Sequence, residues 1–398
     1  MTLASPSPLS RRFSALYLAV GLLGFLAASS APTPLYHLYQ EAWQFSAATL
    51  TLIFAVYALS LLAALLTVGS LSDYLGRRPL ILAALLLESL AMALFIVADS
   101  VAWLLAARVL QGFATGMATS VLGAALLDTD RDQGPLVNSL APLLGMACGA
   151  LGTSLLVAYA AWPLRLAYWL LLGLFVLLAL LLARLPESVT RQPGALAALR
   201  PTMSVPPQAR RAVWRMLPVN VAVWALGGFS LSLLPSLVRA ATGSTSSLTG
   251  GAVVATLTLS GALVIFSVRR WAPLRVLRLG TLLLGSGAVL MLLALQSGLL
   301  GGLFVATLVA GCGFGAGFLG ALRSTLPLAQ AHERAGLMAA YYVLSYLAFS
   351  LPALLAGLLV RQFGLMFTSE GYLIGLLALC LLACTGLFGQ RSVTACST

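Results

Sequence analysis

Charge is scarce in this sequence, and lysine is absent from it. Charged residues make up 8% of the 398 residues and hydrophobic residues 61%, whereas soluble domains carry roughly 25% charged residues. A soluble fold of this composition would lack a polar surface, which excludes a cytosolic enzyme, a disordered chain and a secreted disulfide scaffold. Without lysine, no glycine-rich stretch can form a nucleotide-binding P-loop. Lipid must therefore surround most of the chain.

Histidine and cysteine are too few and too scattered to indicate a metal site. The chain has two histidines and five cysteines. All of the cysteines except Cys396 lie in apolar stretches, where cysteine behaves as a small hydrophobic residue. The 22 basic residues, all arginine, give a net charge of +12 but are scattered among apolar runs, whereas nucleic-acid binding needs a basic face. We therefore predict no metal, no cofactor and no nucleic-acid partner.

Long apolar runs dominate what is present. A membrane-spanning helix needs about 20 mostly apolar residues, and these runs are too long and too uniform for β-barrel strands. Arg11 and Arg12 precede the first run as in a signal peptide, but that run is long for a signal core, so we expect it to be retained. The sequence predicts twelve spans, at 13–33, 46–68, 80–98, 101–127, 135–159, 161–183, 212–234, 247–268, 276–296, 300–322, 335–360 and 369–389.

One connection is much longer than the others. Residues 185–211 are rich in proline and arginine, as is typical of a polar linker. This linker separates an N-terminal half, residues 1–184, from a C-terminal half, residues 212–398, with six spans in each. Glycine motifs in spans 4 and 10, and arginine pairs after spans 2 and 8, occur at corresponding places in the two halves. Repeated six-helix halves indicate a transporter architecture.

The arginines also predict the orientation, because short loops rich in arginine stay in the cytoplasm. With both termini in the cytoplasm, only Arg165, Arg239 and Arg361 fall outside, and Arg108 lies within a span. We therefore expect a multi-pass protein of the cytoplasmic membrane with both termini cytoplasmic.

The loop between spans 2 and 3 reads GSLSDYLGRRP over residues 69–79. Its glycines permit a tight turn, and its charges can hold two halves together in one state and release them in another. This loop resembles the signature of the major facilitator superfamily. The resemblance implies an all-α integral membrane fold with twelve helices in two pseudo-symmetric six-helix bundles. The candidate conformational gate is Gly69, Asp73, Gly76, Arg77, Arg78 and Asp128.

Two further loops occupy matching positions after spans 4 and 10. Residues 128–132 carry three aspartates and an arginine, and residues 332–334 read His-Glu-Arg. We interpret both as contacts to the arginine pairs at 77–78 or 269–270, the alternative being ordinary solvated loops.

Span 4 carries Arg108, Gln111 and Gly112, which resemble the family's R-x-x-Q-G motif. The resemblance associates this arginine with proton coupling, and an arginine in a membrane is costly unless it is paired or hydrated. Glu88 in span 3 lies at nearly the same depth, counted at 1.5 Å per residue from the hairpin at Asp99. We expect Glu88 and Arg108 to pair directly or through water. The alternatives are a structural arginine and a Glu88 that faces another helix and stays protonated.

Span 5 carries Pro142, Gly145 and Gly149, a partial match to the G-P-x-x-G-G motif of the drug:proton antiporter branch. Ala141 replaces the first glycine, and the final glycine pair is incomplete. Proline and glycine in a membrane helix also allow kinks and close packing, so helix packing stays open as the alternative.

The resemblance implies a central cavity, with few polar residues predicted to line it. The candidates are amides, hydroxyls and aromatic rings, a set that suits apolar or weakly polar organic molecules. They are Ser29, Gln111, Thr115, Asn138, Asn220, Trp224, Tyr341, Tyr342 and Tyr346, with Ser30 and Ser345 beside them.

These observations predict a secondary transporter rather than an enzyme. We expect proton-coupled efflux of a small hydrophobic or amphipathic compound, by rocking of the two halves around a midplane site. The alternatives are proton-linked uptake of a small metabolite and a non-transporting membrane sensor. The expected partners are the substrate, protons and the lipid bilayer, and we expect a monomer.

Overall fold

The structure is a computed structural model that describes residues 8–199, 203–244, 246–330 and 332–388. Both chain termini, which were predicted to be cytoplasmic, lie outside these ranges, as do Cys396 and the middle of the predicted linker.

Twelve long helices make up most of the described chain. Each is long and apolar enough to cross a membrane, α6 when the 3-10 turn Leu182–Arg184 that continues it is included, so the predicted number of spans is confirmed. The helices are α1 (Pro8–Ser30), α2 (Ala47–Thr67), α3 (Arg77–Val97), α4 (Val101–Thr129), α5 (Gly134–Tyr159), α6 (Leu166–Leu181), α7 (Pro207–Ser232), α8 (Ser247–Val268), α9 (Pro273–Ser297), α10 (Leu300–Thr325), α11 (Arg334–Phe363) and α12 (Leu365–Phe388).

Several helix boundaries differ from the predicted ones by three to five residues, and two of these differences have local reasons in the chain. Helix α7 begins at Pro207, inside the predicted linker, because proline suits the first turn of a helix, where no backbone N–H is needed. Helix α6 begins at Leu166, later than predicted. Trp162 has a φ of 62° and Pro163 follows it, so the chain leaves the helical conformation there.

The helices pack as two six-helix halves joined along two seams. Helices α1–α6 share one hydrophobic core and α7–α12 share another. Across the halves, α5 packs on α8 and α2 packs on α11, with smaller apolar cores along both seams. We call the end that carries the linker and residues 68–76 the linker end. The opposite end, with residues 31–46 and 233–244, is the far end.

The two halves meet at the far end. Short helices follow α1 and α7 there, at Tyr36–Trp43 and Leu234–Thr242. An ion pair joins Arg239 to Glu41 across the halves at 3.7 Å. The two short helices border a narrow space, which we call the far-end space; it is lined by Tyr36, His37, Ser232, Pro235, Ser246 and their neighbours.

Candidate transport site

Three polar side chains form a buried charge cluster inside the N-terminal half. Glu88 on α3 is 0% exposed and Arg108 on α4 is 1% exposed. Arg108 Nη1 donates to Gln111 Oε1 at 2.6 Å, and Gln111 Nε2 donates to Glu88 Oε1 at 3.3 Å. The side chains thus lie at a common depth, but no direct Glu88–Arg108 ion pair is present among the described residues. Gln111 stands between them because its amide can accept from a guanidinium and donate to a carboxylate at once.

Helix α1 closes one side of this charge cluster with its backbone. Arg108 Nη1 donates to the Ser29 carbonyl at 3.0 Å, and Gln111 Nε2 donates to the Ala28 carbonyl at 2.9 Å. The Ser29 hydroxyl turns back to the Leu26 carbonyl. Ser29 therefore contributes a backbone carbonyl to the site, and its assignment to the substrate cavity stays a prediction.

Helix α2 covers the charge cluster with an aromatic ring that the sequence analysis missed. The Arg108 Cζ lies 4.1 Å from the ring centroid of Tyr57, a cation–π arrangement. Gly112 makes this approach possible, since a Cβ there would overlap the Tyr57 carbonyl oxygen. Gly116 packs in the same way on Leu61.

Some polar atoms of the charge cluster have no partner among the described residues. They are Glu88 Oε2 and Arg108 Nε, and beside the cluster the hydroxyl of Thr115, the next cavity candidate on α4, has none either. Leaving a buried carboxylate oxygen unpaired is costly. Glu88 is therefore a group that a proton or a water molecule would stabilise.

An aromatic cluster lies where the two halves meet. The Trp224 ring on α7 lies 4.9 Å from Tyr346 and 5.9 Å from Phe349, both on α11. Tyr342 lies 6.3 Å from Tyr346, and Phe54 of α2 contacts Phe349 across the halves at 4.7 Å. Trp224, Tyr342 and Tyr346 are only partly buried. Three of the predicted cavity residues are thus brought together, with Phe54 and Phe349 as unpredicted members.

Polar groups of the C-terminal half lie beside these rings. Asn220 Nδ2 donates to Ser345 Oγ at 3.0 Å, and both residues are buried. Among the described residues, Asn220 Oδ1, Trp224 Nε1 and the Tyr341 hydroxyl have no partner. This arrangement offers one acceptor and two donors next to an apolar wall.

Asn138 is a predicted cavity residue that lies elsewhere. It sits in the second turn of α5, exposed, with its amide beside Gly123 of α4. Trp224 lies 17 positions into α7 and Asn138 four positions into α5, so their depths differ by roughly 20 Å at 1.5 Å per residue. Asn138 was assigned to the cavity because its side chain is a polar amide. Its position near the linker end separates it from the aromatic cluster.

At the linker end, Arg77 organises the predicted gate residues within one half. Its Nη1 donates to Ser72 Oγ at 2.6 Å and to Asp73 Oδ1 at 2.5 Å, and its Nε donates to Asp128 Oδ2 at 3.1 Å. The carbonyl of Gly69 accepts from Ser120 Oγ of α4. All these residues belong to the N-terminal half, so the network fastens the signature loop to α4.

The start of the linker caps α3. Glu187 Oε1 accepts from the Arg77 backbone N–H at 2.8 Å, and Oε2 accepts from that of Arg78 at 3.0 Å. A carboxylate at a helix N-terminus pairs N–H groups that have no partner inside the helix. Gly76 precedes this turn with a φ of 98°, a conformation that favours glycine, and a Cβ there would lie 2.7 Å from Glu187 Oε2.

The loop after α4 contacts its own half as well. Arg11 Nη2 lies 3.5 Å from Asp130 Oδ2. Backbone N–H groups of Gln133 and Asp132, together with Arg11, hold the pKa of the Asp130 carboxyl below its usual value. Residues 128–132 were predicted to contact the arginine pairs at 77–78 or 269–270. Among the ion pairs of the described residues, one such contact is present, that of Asp128 with Arg77.

The matching loop of the C-terminal half is built differently. Glu333 accepts from Gln208 Nε2 at 2.6 Å and from the Gln330 backbone N–H. The guanidinium of Arg269 lies over the Phe266 ring at 3.9 Å. The loop at 269–272 is short and lacks an acidic residue. This loop and the loop at 332–334 therefore do not form a counterpart of the Arg77 network in the C-terminal half.

The glycines of α5 are explained by packing on α1. A Cβ at Gly145 would lie 2.5 Å from the Leu23 carbonyl oxygen, and one at Gly149 would overlap that of Ala27. Ser30 Oγ donates to the Met146 carbonyl at 2.8 Å, in the part of α5 that follows Pro142. These contacts need small residues whether or not the protein exchanges its substrate for protons.

The fold and site together define a class of protein. Two repeated six-helix halves that meet around buried polar and aromatic groups form the architecture of a secondary membrane transporter. The model of the Major Facilitator Superfamily matches residues 16–271. The chain belongs to this superfamily, which places it among transporters and not among enzymes.

Relatives in sequence match only part of the chain. An uncharacterised transporter of Rickettsia bellii is 33% identical over 141 residues, and one of Rickettsia felis is 34% identical over 147 residues. Each match covers 34% of the relative and 34% or 35% of this chain. The chain therefore spans about a third of the length of the curated relatives it matches.

Solved structures match nearly the whole fold. The human organic anion transporter MFSD10 (TETRAN) has a TM-score of 0.68 at 22% identity, covering 95% of this chain and 100% of its own. A mutant of the nucleoside transporter NupG has a TM-score of 0.69 at 12% identity, covering 94% and 99%. At these identities the likeness establishes the fold alone.

Proposed function

We propose that this protein is a proton-coupled exporter of small hydrophobic or amphipathic organic compounds. The observation that carries the proposal is the placement of the buried charge cluster, Glu88, Gln111 and Arg108, beside the aromatic cluster at the interface. One cluster can hold a proton and the other can contact an apolar molecule. The absence of lysine from the sequence argues against a P-loop ATPase, which favours an ion gradient as the energy source.

Glu88 is the proposed proton-binding group. Its Oε1 accepts from Gln111, while Oε2 has no hydrogen-bond partner among the residues that the structure describes. Protonation would remove the charge that Gln111 and Arg108 face from α3. Because buried electrostatic interactions are strong in a low-dielectric interior, such a change can bias one arrangement of the helices over another.

The aromatic cluster is the proposed substrate surface. Trp224, Tyr342 and Tyr346 present partly buried rings, and Asn220 and Tyr341 supply a few polar atoms. Apolar walls with few polar groups are typical of sites for drug-sized organic molecules. One structural neighbour is an organic anion transporter and the other a nucleoside transporter, so the shared fold accommodates different substrates.

Alternating access supplies the proposed transport cycle, with the linker end in the cytoplasm. The halves are joined at the far end by the Glu41–Arg239 ion pair and by the packing of Gly357 on Thr51. We assign this arrangement to the state that loads from the linker end. The Arg77 network would then hold the signature loop on α4 while the halves rock.

A reconstituted transport assay tests the proposal. Purified protein in liposomes receives an imposed pH gradient and a library of dyes, antibiotics and metabolites, and proton movement is followed for each compound. We expect at least one amphipathic compound to exchange with protons. Glu88→Gln and Arg108→Ala should abolish that exchange, whereas the control Asp99→Asn, at an exposed carboxylate between α3 and α4, should retain it.

The other outcomes would contradict the proposal in distinct ways. Compound and protons moving in the same direction would establish uptake by symport. Proton exchange that persists in both Glu88→Gln and Arg108→Ala would remove the charge cluster from the mechanism. A library in which no compound moves protons would favour the non-transporting sensor.

A further inference from the structure

Three buried polar atoms beside the aromatic cluster have no hydrogen-bond partner among the described residues. They are Asn220 Oδ1, Trp224 Nε1 and the hydroxyl oxygen of Tyr341. The side chain of Asn220 belongs to a residue that is 0% exposed, and Tyr341 is 4% exposed. Leaving a buried polar group unpaired is costly. Each of these atoms is therefore a place where a bound molecule would gain a hydrogen bond that the protein does not make.

Helices α7 and α11 bring these three atoms together. Asn220 and Trp224 are one turn apart on α7, so they share a face of that helix. Tyr341 and Ser345 are related in the same way on α11, and Asn220 Nδ2 donates to Ser345 Oγ at 3.0 Å, which joins the two faces. The Tyr341 hydroxyl lies near the Trp224 indole without making a hydrogen bond to it. One acceptor and two donors therefore converge between the helices.

Backbone packing sets the separation of these groups. A Cβ at Gly228, one turn after Trp224, would overlap the carbonyl oxygen of Phe349, one turn after Ser345. Helices α7 and α11 are thus in close contact on the far-end side of the three atoms, and the Asn220–Ser345 hydrogen bond joins the same helices one turn earlier. The unpaired atoms are therefore held by two fixed contacts.

The surroundings of these atoms carry no ionisable charge. Helix α7 packs on α10 and α11, and Asp, Glu, Lys, Arg and His are absent from residues 216–232, 300–322 and 335–360 of these helices. Arg108 of the N-terminal half is 1% exposed and donates to the Ser29 carbonyl and to Gln111. An ionised group in an apolar site needs a counter-charge. The unpaired atoms therefore suit an uncharged polar group and not a carboxylate or an ammonium.

The placement of the acceptor and the donors selects among uncharged groups. Asn220 Oδ1 and Trp224 Nε1 belong to residues one turn apart, so the matching donor and acceptor should lie on different atoms of the bound molecule. An alcohol carries both on one oxygen, and an ester has no donor. A carboxamide carries an N–H donor beside a carbonyl oxygen, whose two lone pairs can accept from the Trp224 indole and the Tyr341 hydroxyl together.

We propose that Asn220, Trp224 and Tyr341 form a subsite for an uncharged carboxamide group of the substrate, while the aromatic cluster holds the apolar ring attached to that group. The inference rests on the proposed role of the aromatic cluster as the substrate surface. Asn220 Oδ1 accepts from the amide N–H, and the other two residues donate to the amide oxygen. The substrate class is thereby narrowed from amphipathic compounds in general to uncharged amides with an apolar body.

Equilibrium binding of four matched probes tests the proposal. The full chain in lipid nanodiscs receives tritiated naphthalene-2-carboxamide, its N,N-dimethyl derivative, methyl naphthalene-2-carboxylate or naphthalene-2-carboxylate. Protein-free nanodiscs give the amount of each probe that dissolves in lipid. All four probes share the ring, and only the carboxamide has an amide N–H. We expect the other three to bind about tenfold more weakly, because each leaves Asn220 Oδ1 unpaired.

Variants assign the preference to particular atoms. Asn220→Leu should weaken carboxamide binding about tenfold and leave ester binding unchanged, since the ester donates no hydrogen bond. Trp224→Phe keeps an aromatic ring and should weaken both, since both carbonyls lose a donor. The control is Thr281→Val on α9, at a residue that is 1% exposed and whose hydroxyl donates to the Leu277 carbonyl within its own helix; it should change neither. If Asn220→Leu does not fold, Asn220→Asp should add binding of 2-naphthylmethylammonium that the parent protein lacks.

Three results would overturn the inference. They are equal affinity of the four probes, which would assign the unpaired atoms to internal water, a carboxamide that shows no saturable binding, and a preference for the carboxamide that survives in Asn220→Leu. Because binding is measured without a gradient, its outcome is separate from that of the liposome assay. Selective carboxamide binding with no proton exchange would reject the exporter alone, and proton exchange with compounds that bind without this preference would reject the amide subsite alone.

Discussion

Gly112→Ala is expected to destabilise the N-terminal half by forcing α2 away from α4. The new Cβ would overlap the Tyr57 carbonyl oxygen and lie 3.1 Å from Ser60 Cβ. The first of these obstacles is backbone, so no side-chain rotation relieves it. Overpacking of this kind costs about 1–3 kcal/mol. The displaced ring of Tyr57 should also weaken the hold on Arg108.

Gly152→Ala on α5 is the matched control. A Cβ at Gly152 meets no atom within 4 Å, and alanine favours a helix over glycine by up to about 1 kcal/mol. The free energy of unfolding, measured in mixed dodecylmaltoside–SDS micelles, should fall for Gly112→Ala and stay level or rise for Gly152→Ala. Equal stability of the two variants would refute the close approach of α4 to α2.

Three other changes test the contacts between and within the halves. Gly357→Leu should push α11 away from α2 at Thr51, so that a cysteine placed in the far-end space reacts faster with a polar thiol reagent. An unchanged reaction rate would show that the Gly357–Thr51 contact does not close the far end. Glu41→Arg should cost at most about 1 kcal/mol of closure, because the Glu41 side chain is exposed and that of Arg239 only partly buried, and adding Arg239→Glu should restore the wild-type reaction rate, which independent residues would not do. Asp128→Asn should lower the thermal unfolding midpoint more than Asp73→Asn does. The Asp128 side chain is 35% exposed and that of Asp73 is 59% exposed, so water screens the Asp128–Arg77 ion pair less. The reverse order of midpoints would show that the Asp128–Arg77 pair is not the more stabilising of the two.

The helices could be predicted from the sequence because lipid imposes a simple requirement. Every backbone polar group in a bilayer must be paired within its helix, so run length and hydropathy define the spans. Their ends depend on local chemistry that hydropathy does not report. The proline at position 207 extends α7 into the linker, and the backbone at Trp162 delays the start of α6.

The sequence predicts the depth of the charged site residues along their helices but not the groups that they contact. Counting residues from the hairpin places Glu88 and Arg108 at one level, and the structure agrees. The bridging role of Gln111 depends on side-chain conformations, and the contact of Tyr57 depends on how α2 packs on α4. The Glu41–Arg239 pair could have been found, since both residues follow the first helix of their half and repeat-related positions face each other across the molecule.

The repeat explains why the buried charge cluster lies in one half. Gln111 and Gly112 correspond to Ala310 and Gly311, and in the same register Glu88 corresponds to Gly287. The contact between these positions is kept in the C-terminal half, where a Cβ at Gly287 would lie 2.6 Å from the Ala310 backbone. Backbone packing there fills the space that the carboxyl and amide groups occupy in the N-terminal half. A buried charge can therefore change between α3 and α4 but not between the corresponding helices α9 and α10. The C-terminal half, whose α9 and α10 are close-packed, contributes Trp224 and Tyr346 to the aromatic cluster. Under the proposed proton coupling, such a division would let one half respond to a proton while the other keeps its shape, so that rocking of the halves would follow from a difference between them and not from a change in both.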